Sequence, residues 1–433
     1  MDYKQTLAFA AASNALCLFT GSGFSKNLSG GTSPDWAELL AQLCDLLNDP
    51  GQAKAQLEQA RATYPLEDCA QILELAFLRE GRSFKDSLAE LISRITLSDG
   101  AAESLRRFLS DNKSTVVVTT NYDSLVQQSL AGVPFVTNYS GKPIARKPDA
   151  IQIFHVHGSI ESPSSIIATS SDYYQFINQG GYFSQKTLTL MHESTVVILG
   201  YSLSDTNLKA ILSDLHYHGM RSISRGNIFY VTRGVVPAYI RDYYEAAYGM
   251  VVLENLEINV LLNQISQDAP AAKQQLAQAE ADISDVIAGR KQWVDNFIKL
   301  RDSLFKIFAT ANVNGVDFGS RQFTSMISDL LTRKRGFCNQ FGAWDQYEHL
   351  ADWLVHIGTV IDIRGSDLEN SYLDALNYSM NRISSTYERG KSWYAYGVWK
   401  SKWKFISFDN KLLVRAYTGN NAFCQDALNI VNS

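Results

Sequence analysis

Gly21-Ser22-Gly23-Phe24-Ser25 follows the apolar run Ala15-Leu16-Cys17-Leu18-Phe19-Thr20, and this junction decides how the rest of the chain is read. An unbroken apolar run suits a strand buried on both faces. A turn of small residues straight after it lets backbone N–H groups approach an anion where a helix begins. Runs rich in Val, Ile and Phe recur downstream at Thr115–Thr119, Ile151–His155, Thr195–Leu199, Ile228–Val231 and Met250–Leu253, with helical spacing between them. Such an order predicts an α/β fold, a Rossmann-like doubly wound parallel sheet whose ligands sit beyond the carboxyl ends of the strands.

Between the first two runs, Trp36–Leu47, Gln52–Ala62, Glu67–Arg79, Asp86–Ile95 and Ala101–Leu109 carry helical spacing of Leu, Ala and Ile. They predict a helical insertion over about residues 34–112, far longer than a simple crossover. The first domain is expected over 1–267, a helix or polar linker over 268–284, and a mainly helical C-terminal domain over 285–433. Within that last part, Asp285–Thr310, Ser320–Thr332, Trp344–Thr359 and Leu368–Tyr387 read as helices. In Trp399-Lys400-Ser401-Lys402-Trp403-Lys404-Phe405 the alternation of aromatic and basic residues predicts a strand with Trp399, Trp403 and Phe405 on one face.

Composition narrows the class. At 433 residues the chain can bury more than one core, and 45% hydrophobic with 19% charged residues is ordinary globular content. No run is long enough to cross a bilayer and no secretory layout opens the chain, so a cytoplasmic address without membrane contact is expected. The net charge of -5 gives no global basic field, so direct nucleic-acid binding is not expected. Cys17, Cys44, Cys69, Cys338 and Cys424 are scattered, with no Cys-x-x-Cys pair, which argues against both a disulfide framework and a zinc knuckle.

Four motifs stand at or just beyond strand ends, in one order: Gly21–Ser25, then Thr119-Thr120-Asn121-Tyr122-Asp123, then His157-Gly158, then Gly200-Tyr201-Ser202. Singly, each has an ordinary structural reading. Gly21 and Gly23 suit a tight turn, Ser25 a helix N-cap, Asn121 and Asp123 turn positions, and His157 a hydrogen-bonded core or loop histidine. Ser204-Asp205-Thr206-Asn207 reads as a helix N-cap. His155 and His157 have no Cys or carboxylate nearby to complete a ligand set, so no metal is expected.

Together, over roughly Ala10 to Leu253, the four motifs resemble the NAD-binding catalytic domain of the sirtuin (silent information regulator-like) family. The resemblance implies that Gly21, Ser22, Gly23 and Ser25 wrap the pyrophosphate of NAD, and that Gly200 and Ser202 meet its adenosine half. Thr232 and Arg233 are placed to reach the adenosine ribose, or equally to be surface residues. Ser33-Pro34-Asp35-Trp36 resembles the loop closing over the dinucleotide in prokaryotic sirtuin-like proteins. Breaking the nicotinamide–ribose bond builds an oxocarbenium-like centre, which calls for polar groups on the ribose, a water and the leaving carboxamide. The resemblance gives Asn121 the ribose and water, Asp123 the carboxamide NH2, and His157 the part of the base.

Three departures shape the expected activity. Thr120 replaces the family's Gln, Tyr201 replaces its Thr, and the zinc-holding Cys-x-x-Cys pairs of protein-deacylating sirtuins are missing. These point to the prokaryotic sirtuin-like NAD hydrolases of antiphage defence, with NAD as substrate, nicotinamide and ADP-ribose as products, and NAD depletion as the outcome. An NAD-dependent protein deacylase and a non-catalytic NAD or ADP-ribose sensor are the competing readings. A homo-oligomer is expected. The C-terminal domain is the candidate gate, through oligomerisation or docking to a HerA-type ATPase or a nucleotide-sensing protein, with the aromatic face of Trp399–Phe405 as its motive.

Overall fold

In a computed structural model the structure describes residues 3–145, 147, 149–179, 182–202, 212, 228–301, 303–340, 343–386 and 388–433. Packing divides them into two compact units, with the boundary at Lys273/Gln274.

Seven strands form the sheet of the first unit: β1 Leu16–Thr20, β2 Val116–Thr119, β3 Phe135–Tyr139, β4 Ile151–His155, β5 Thr195–Leu199, β6 Ile228–Val231 and β7 Met250–Leu253. All pair in parallel, in the order β3-β4-β2-β1-β5-β6-β7. Strand residues alternate between two cores, as the two-residue period of a strand requires. Leu16, Leu18, Val117, Ile153, Val197 and Phe229 pack on one face with helices Tyr3–Ala12 and Asp99–Asp111. Cys17, Phe19, Val118, Phe154, Ile198 and Tyr230 face the other core.

The edge strand β3 is not marked by an apolar run. Phe135 is exposed and Thr137 and Asn138 are polar, so the period that betrays the central strands is absent. β1 lies between β2 and β5, and successive strands leave it in opposite directions, so the switch point of the sheet lies at its carboxyl end.

The insertion between β1 and β2 is helical, with helices Trp36–Cys44, Pro50–Arg61, Leu66–Arg79, Phe84–Ser93 and Asp99–Asp111. The first four have a core of their own, including Leu40, Leu43, Leu57, Leu73, Phe77 and Leu88. Asp35 caps Trp36–Cys44: its side chain accepts from Glu38 N at 2.9 Å, and Glu38 accepts from Asp35 N at 2.7 Å.

Helix Ile258–Ile287 contains Pro270 and the whole of the Asp268–Asp282 segment. The second unit is helical. Asp285–Thr310 is not one helix: after Ile287 the chain turns at Gly289, then forms Asp295–Lys299 and Ser303–Val313. Trp399–Phe405 is not a strand, because it lies in helix Trp393–Lys402 and the short turn Trp403–Phe405. Trp399 and Trp403 are four apart, a spacing that serves one helical face as well as alternate strand positions. Both are buried, and Trp399 Nε1 donates to Ser379 Oγ at 3.0 Å, so these rings are core and supply no docking face.

Candidate active site

The turn after β1 is held by its contact with the turn after β5. Gly200 has φ +69°, and a Cβ there would lie 2.0 Å from Phe24 N. This close approach lets Gly23 N–H donate to Gly200 O at 2.9 Å, while Phe24 N–H donates to Gly21 O at 2.8 Å. With Gly21 N–H donating to Leu199 O at 3.0 Å, three of the turn's N–H groups are committed inside the protein. Beside this turn lies a cleft of about 480 Å³, lined by Ser22, Gly23, Lys26, Ser202, Thr232 and Arg233 among others. Lys26 and Arg233 put two cations on its wall, together with the carboxylates of Asp35 and Glu257, the latter 4.0 Å from Arg233. The Ser204–Asn207 cap lies outside the described residues, whereas Ser202 is described and exposed.

Asn121, half-buried, joins buried Asp123 and Ser25 in one network at the ends of β1 and β2. Ser25 Oγ donates to Asp123 Oδ2 at 2.5 Å, and Asn121 Nδ2 donates to Ser25 Oγ at 2.8 Å and to Gly21 O at 2.7 Å. Gly21 O can only accept, so the amide nitrogen of Asn121 must face it and the orientation of the side chain is fixed. Among the described residues nothing donates to Asn121 Oδ1, which leaves that atom to meet a hydroxyl or a water. Asp123 also accepts from Leu125 N at 3.0 Å, combining the turn function with its place in the network. Ser25 is neither an N-cap nor part of the cleft lining; Gly21 is the N-cap of helix Ser22–Leu28, and the Ser25 hydroxyl joins Asn121 to Asp123.

β4 supports this network from the side. His155 Nδ1 lies 2.9 Å from Asn121 O, a group that only accepts, so Nδ1 carries the proton. Its Nε2 then accepts from Gln127 Nε2 at 2.8 Å, and burial lowers the pKa of His155, keeping it neutral. Asn121 is thus clamped through its main chain by His155 and through its side chain by Gly21 and Ser25. The zinc alternative for His155 does not fit this arrangement, since both ring nitrogens have partners.

His157, two residues beyond β4, is 7% exposed and packed edge-on by Tyr173 at 5.3 Å and Phe176 at 5.9 Å between ring centres. Desolvation lowers its pKa to about 4, so the ring is unprotonated at neutral pH. Gly158 keeps the turn in place: φ is +87°, and a Cβ would lie 2.2 Å from Ser165 O. Tyr201 bridges the two halves of the site. Its ring stacks on Phe19 at 5.1 Å, its OH bonds Thr120 Oγ1, and its main-chain oxygen accepts from Tyr230 OH at 2.7 Å. The two positions that depart from the family pattern, Thr120 and Tyr201, are therefore in contact.

This is the arrangement to set beside known proteins. A profile of the SIR2-like domain matches residues 115–253, from the start of β2 to the end of β7. Over this stretch the chain is similar to the SIR2-like domain. The stretch contains Asn121, Asp123, His157, Gly200 and Ser202, with the Gly21–Ser25 turn supplied from outside it. Among curated proteins, the NAD(+) hydrolase ThsA of Cytobacillus dafuensis is 26% identical over 223 residues, covering 48% of this chain and 41% of that protein. The NAD(+) hydrolase ThsA of Enterococcus faecium is 31% identical over 124 residues, 25% of this chain and 26% of that protein. The protein of the same name from Bacillus cereus (strain MSX-D12) is 32% identical over 101 residues, 22% of this chain and 21% of that protein. The chain thus spans less than half the length of each of these relatives.

The Gly-rich turns, Asn121, Asp123 and His157 are legible as motifs. Ser25 as a link, His155 as a clamp, and Lys26 as a cation at the cleft are not, because the first reads only as part of a phosphate turn and the other two belong to no motif. No helix among the described residues is long and apolar enough to cross a membrane. Among the described residues no group of three or more His, Cys, Asp or Glu is placed to hold a metal ion. Cys17, Cys44, Cys69 and Cys338 are buried free thiols and Cys424 is partly exposed.

Proposed function

We propose that the chain is an NAD+ hydrolase that cleaves the nicotinamide–ribose bond, releasing nicotinamide and ADP-ribose, and that it serves antiphage defence by depleting NAD. The observation that carries the reading is the fixed amide of Asn121, whose Oδ1 has no donor among the described residues, beside the Ser25–Asp123 pair. An acceptor held in one orientation costs no reorganisation when it meets a ribose hydroxyl or an attacking water. Asp123 supplies the acceptor for the carboxamide NH2. His157, neutral through burial, is the base. Lys26 and Arg233 hold the negative charge of the pyrophosphate, and Ser202 meets the adenosine half. Similarity to proteins named NAD(+) hydrolase supports this assignment of substrate and reaction.

The same reading places the protein in the cytoplasm as a homo-oligomer whose second unit couples the site to a trigger, a HerA-type ATPase or a nucleotide-sensing protein. The test of the function is nicotinamide release from NAD by the purified chain, alone and with acylated peptide. Release that ignores the peptide and disappears in Asn121→Ala supports a hydrolase. Release that requires the peptide identifies a deacylase, and NAD binding without release under either condition identifies a sensor.

A further inference from the structure

Helix Leu66–Arg79 leaves one apolar face uncovered. Its inner face, with Cys69, Ala70, Leu73 and Phe77, is buried in the core of the insertion. Its outer face carries Ile72, Leu75 and Leu78 at 40%, 47% and 70% exposure, in a surface otherwise mostly polar. A four-turn helix in a small helical subdomain has no local reason to present three large aliphatic side chains to water.

The charges beside them say what covers the face. With 3.6 residues per turn, Asp68, Ile72, Leu75 and Arg79 fall within an arc of about 60°. Along that line the order is acid, apolar, apolar, base. A pattern of this kind is complementary to its own reverse. Laid antiparallel on a second copy, Asp68 meets the partner's Arg79, Ile72 meets the partner's Leu75, and each relation occurs twice about a two-fold axis. Laid parallel, like charges would oppose each other at both ends.

Asp68 and Arg79 are available for this. Among the described residues neither has an ion pair or side-chain hydrogen bond within the chain, while nearby Lys54, Arg61 and Arg94 pair with Asp45, Glu58 and Glu90. One pair of short helices buries less than a stable dimer needs, about 1,200 Å² or more in total, so flanking surface must contribute. It is at hand. Ser171 N, on helix Ser170–Gln179, donates to Gln71 Oε1 at 3.2 Å, and that neighbouring helix presents Tyr174 at 68% exposure.

We propose that this face is a two-fold interface for a second copy of the chain, with helix Leu66–Arg79 packed antiparallel on its own counterpart. The inference rests on surface residues remote from Asn121 and His157 in the sequence, and it stands whether or not the hydrolase assignment does.

The test is the mass of the full chain by sedimentation velocity at tens of micromolar, with circular dichroism melting to confirm folding. Leu75→Glu, at an exposed position, should melt like the parent and halve the mass of the assembly. Asp68→Arg and Arg79→Asp should each weaken association at least tenfold, and the two together should restore it, because the reversed pair is again self-complementary. A parent that remains at the 48.3 kDa of one chain overturns the proposal. So does a Leu75→Glu assembly of unchanged mass, or a double charge reversal that associates no better than either single one.

Discussion

Replacing Ser25 by Ala removes one hydroxyl and disturbs two groups. Asp123 Oδ2 loses a 2.5 Å hydrogen bond, and one hydrogen of Asn121 Nδ2 loses its acceptor at 2.8 Å. A hydrogen bond to a charged group contributes about 1.5–3 kcal/mol and a neutral one about 1 kcal/mol, giving roughly 2–4 kcal/mol in all. Water cannot easily replace the lost donor, because Asp123 is 8% exposed and Ser25 3%. The effect should be local to the carboxyl ends of β1 and β2, so hydrogen exchange followed by mass spectrometry is the suitable assay. Protected amides in residues 16–28 and 116–130 should exchange about 30- to 700-fold faster, at 1.4 kcal/mol per tenfold, with no change in the second unit. Nicotinamide release should fall with it, since Asn121 is no longer fixed. Exchange and turnover both within twofold of the parent would refute the role of this hydroxyl.

The remaining predictions concern other sites. His157 has its pKa lowered to about 4 by burial, so kcat/KM for nicotinamide release should stay level down to about pH 5; a midpoint near 6.5 would contradict its burial. The same shift bears on stability: the unfolded ring takes up its proton near pH 6.5 and the folded ring only near 4, so stability is full above 6.5 and declines as pH falls between these values. The decline attributable to His157 is about 3 kcal/mol, measurable by denaturant unfolding at stepped pH. Gly200→Ala should lower the melting transition of the first unit by about 2 kcal/mol or more, because φ is +69° and the new Cβ meets backbone at 2.0 Å. In the second unit, fully buried Lys334 donates to Ile298 O, Lys299 O and Leu300 O at 2.9, 3.2 and 3.3 Å, so Lys334→Ala should cost about 3 kcal/mol in denaturant titration.

The sheet was legible because its central strands are buried on both faces and so appear as unbroken Val, Ile and Phe runs. β3 was not, because an edge strand with exposed Phe135 and polar Thr137 and Asn138 carries no such run. The misreading of Trp399–Phe405 has a simple cause: seven residues are too few to separate a two-residue from a 3.6-residue period when Trp399 and Trp403 satisfy both. At the site, Asn121, Asp123 and His157 stood out through their place at strand ends. What the spacing did not reveal is how they are joined. Ser25 lies nearly a hundred residues before Asp123, and only the parallel pairing of β1 with β2 brings the two together. Likewise His155 carries no motif, and its clamp on Asn121 follows from the register of β2 against β4.

The most direct measurement is the rate of nicotinamide release from NAD by the full chain without acylated peptide, set against Asn121→Ala and His157→Ala. Release by the parent that falls at least a hundredfold in both variants, with NAD still bound by each, is the expected result. Release that persists in Asn121→Ala, or that appears only when acylated peptide is supplied, would contradict the assignment of these residues to NAD hydrolysis.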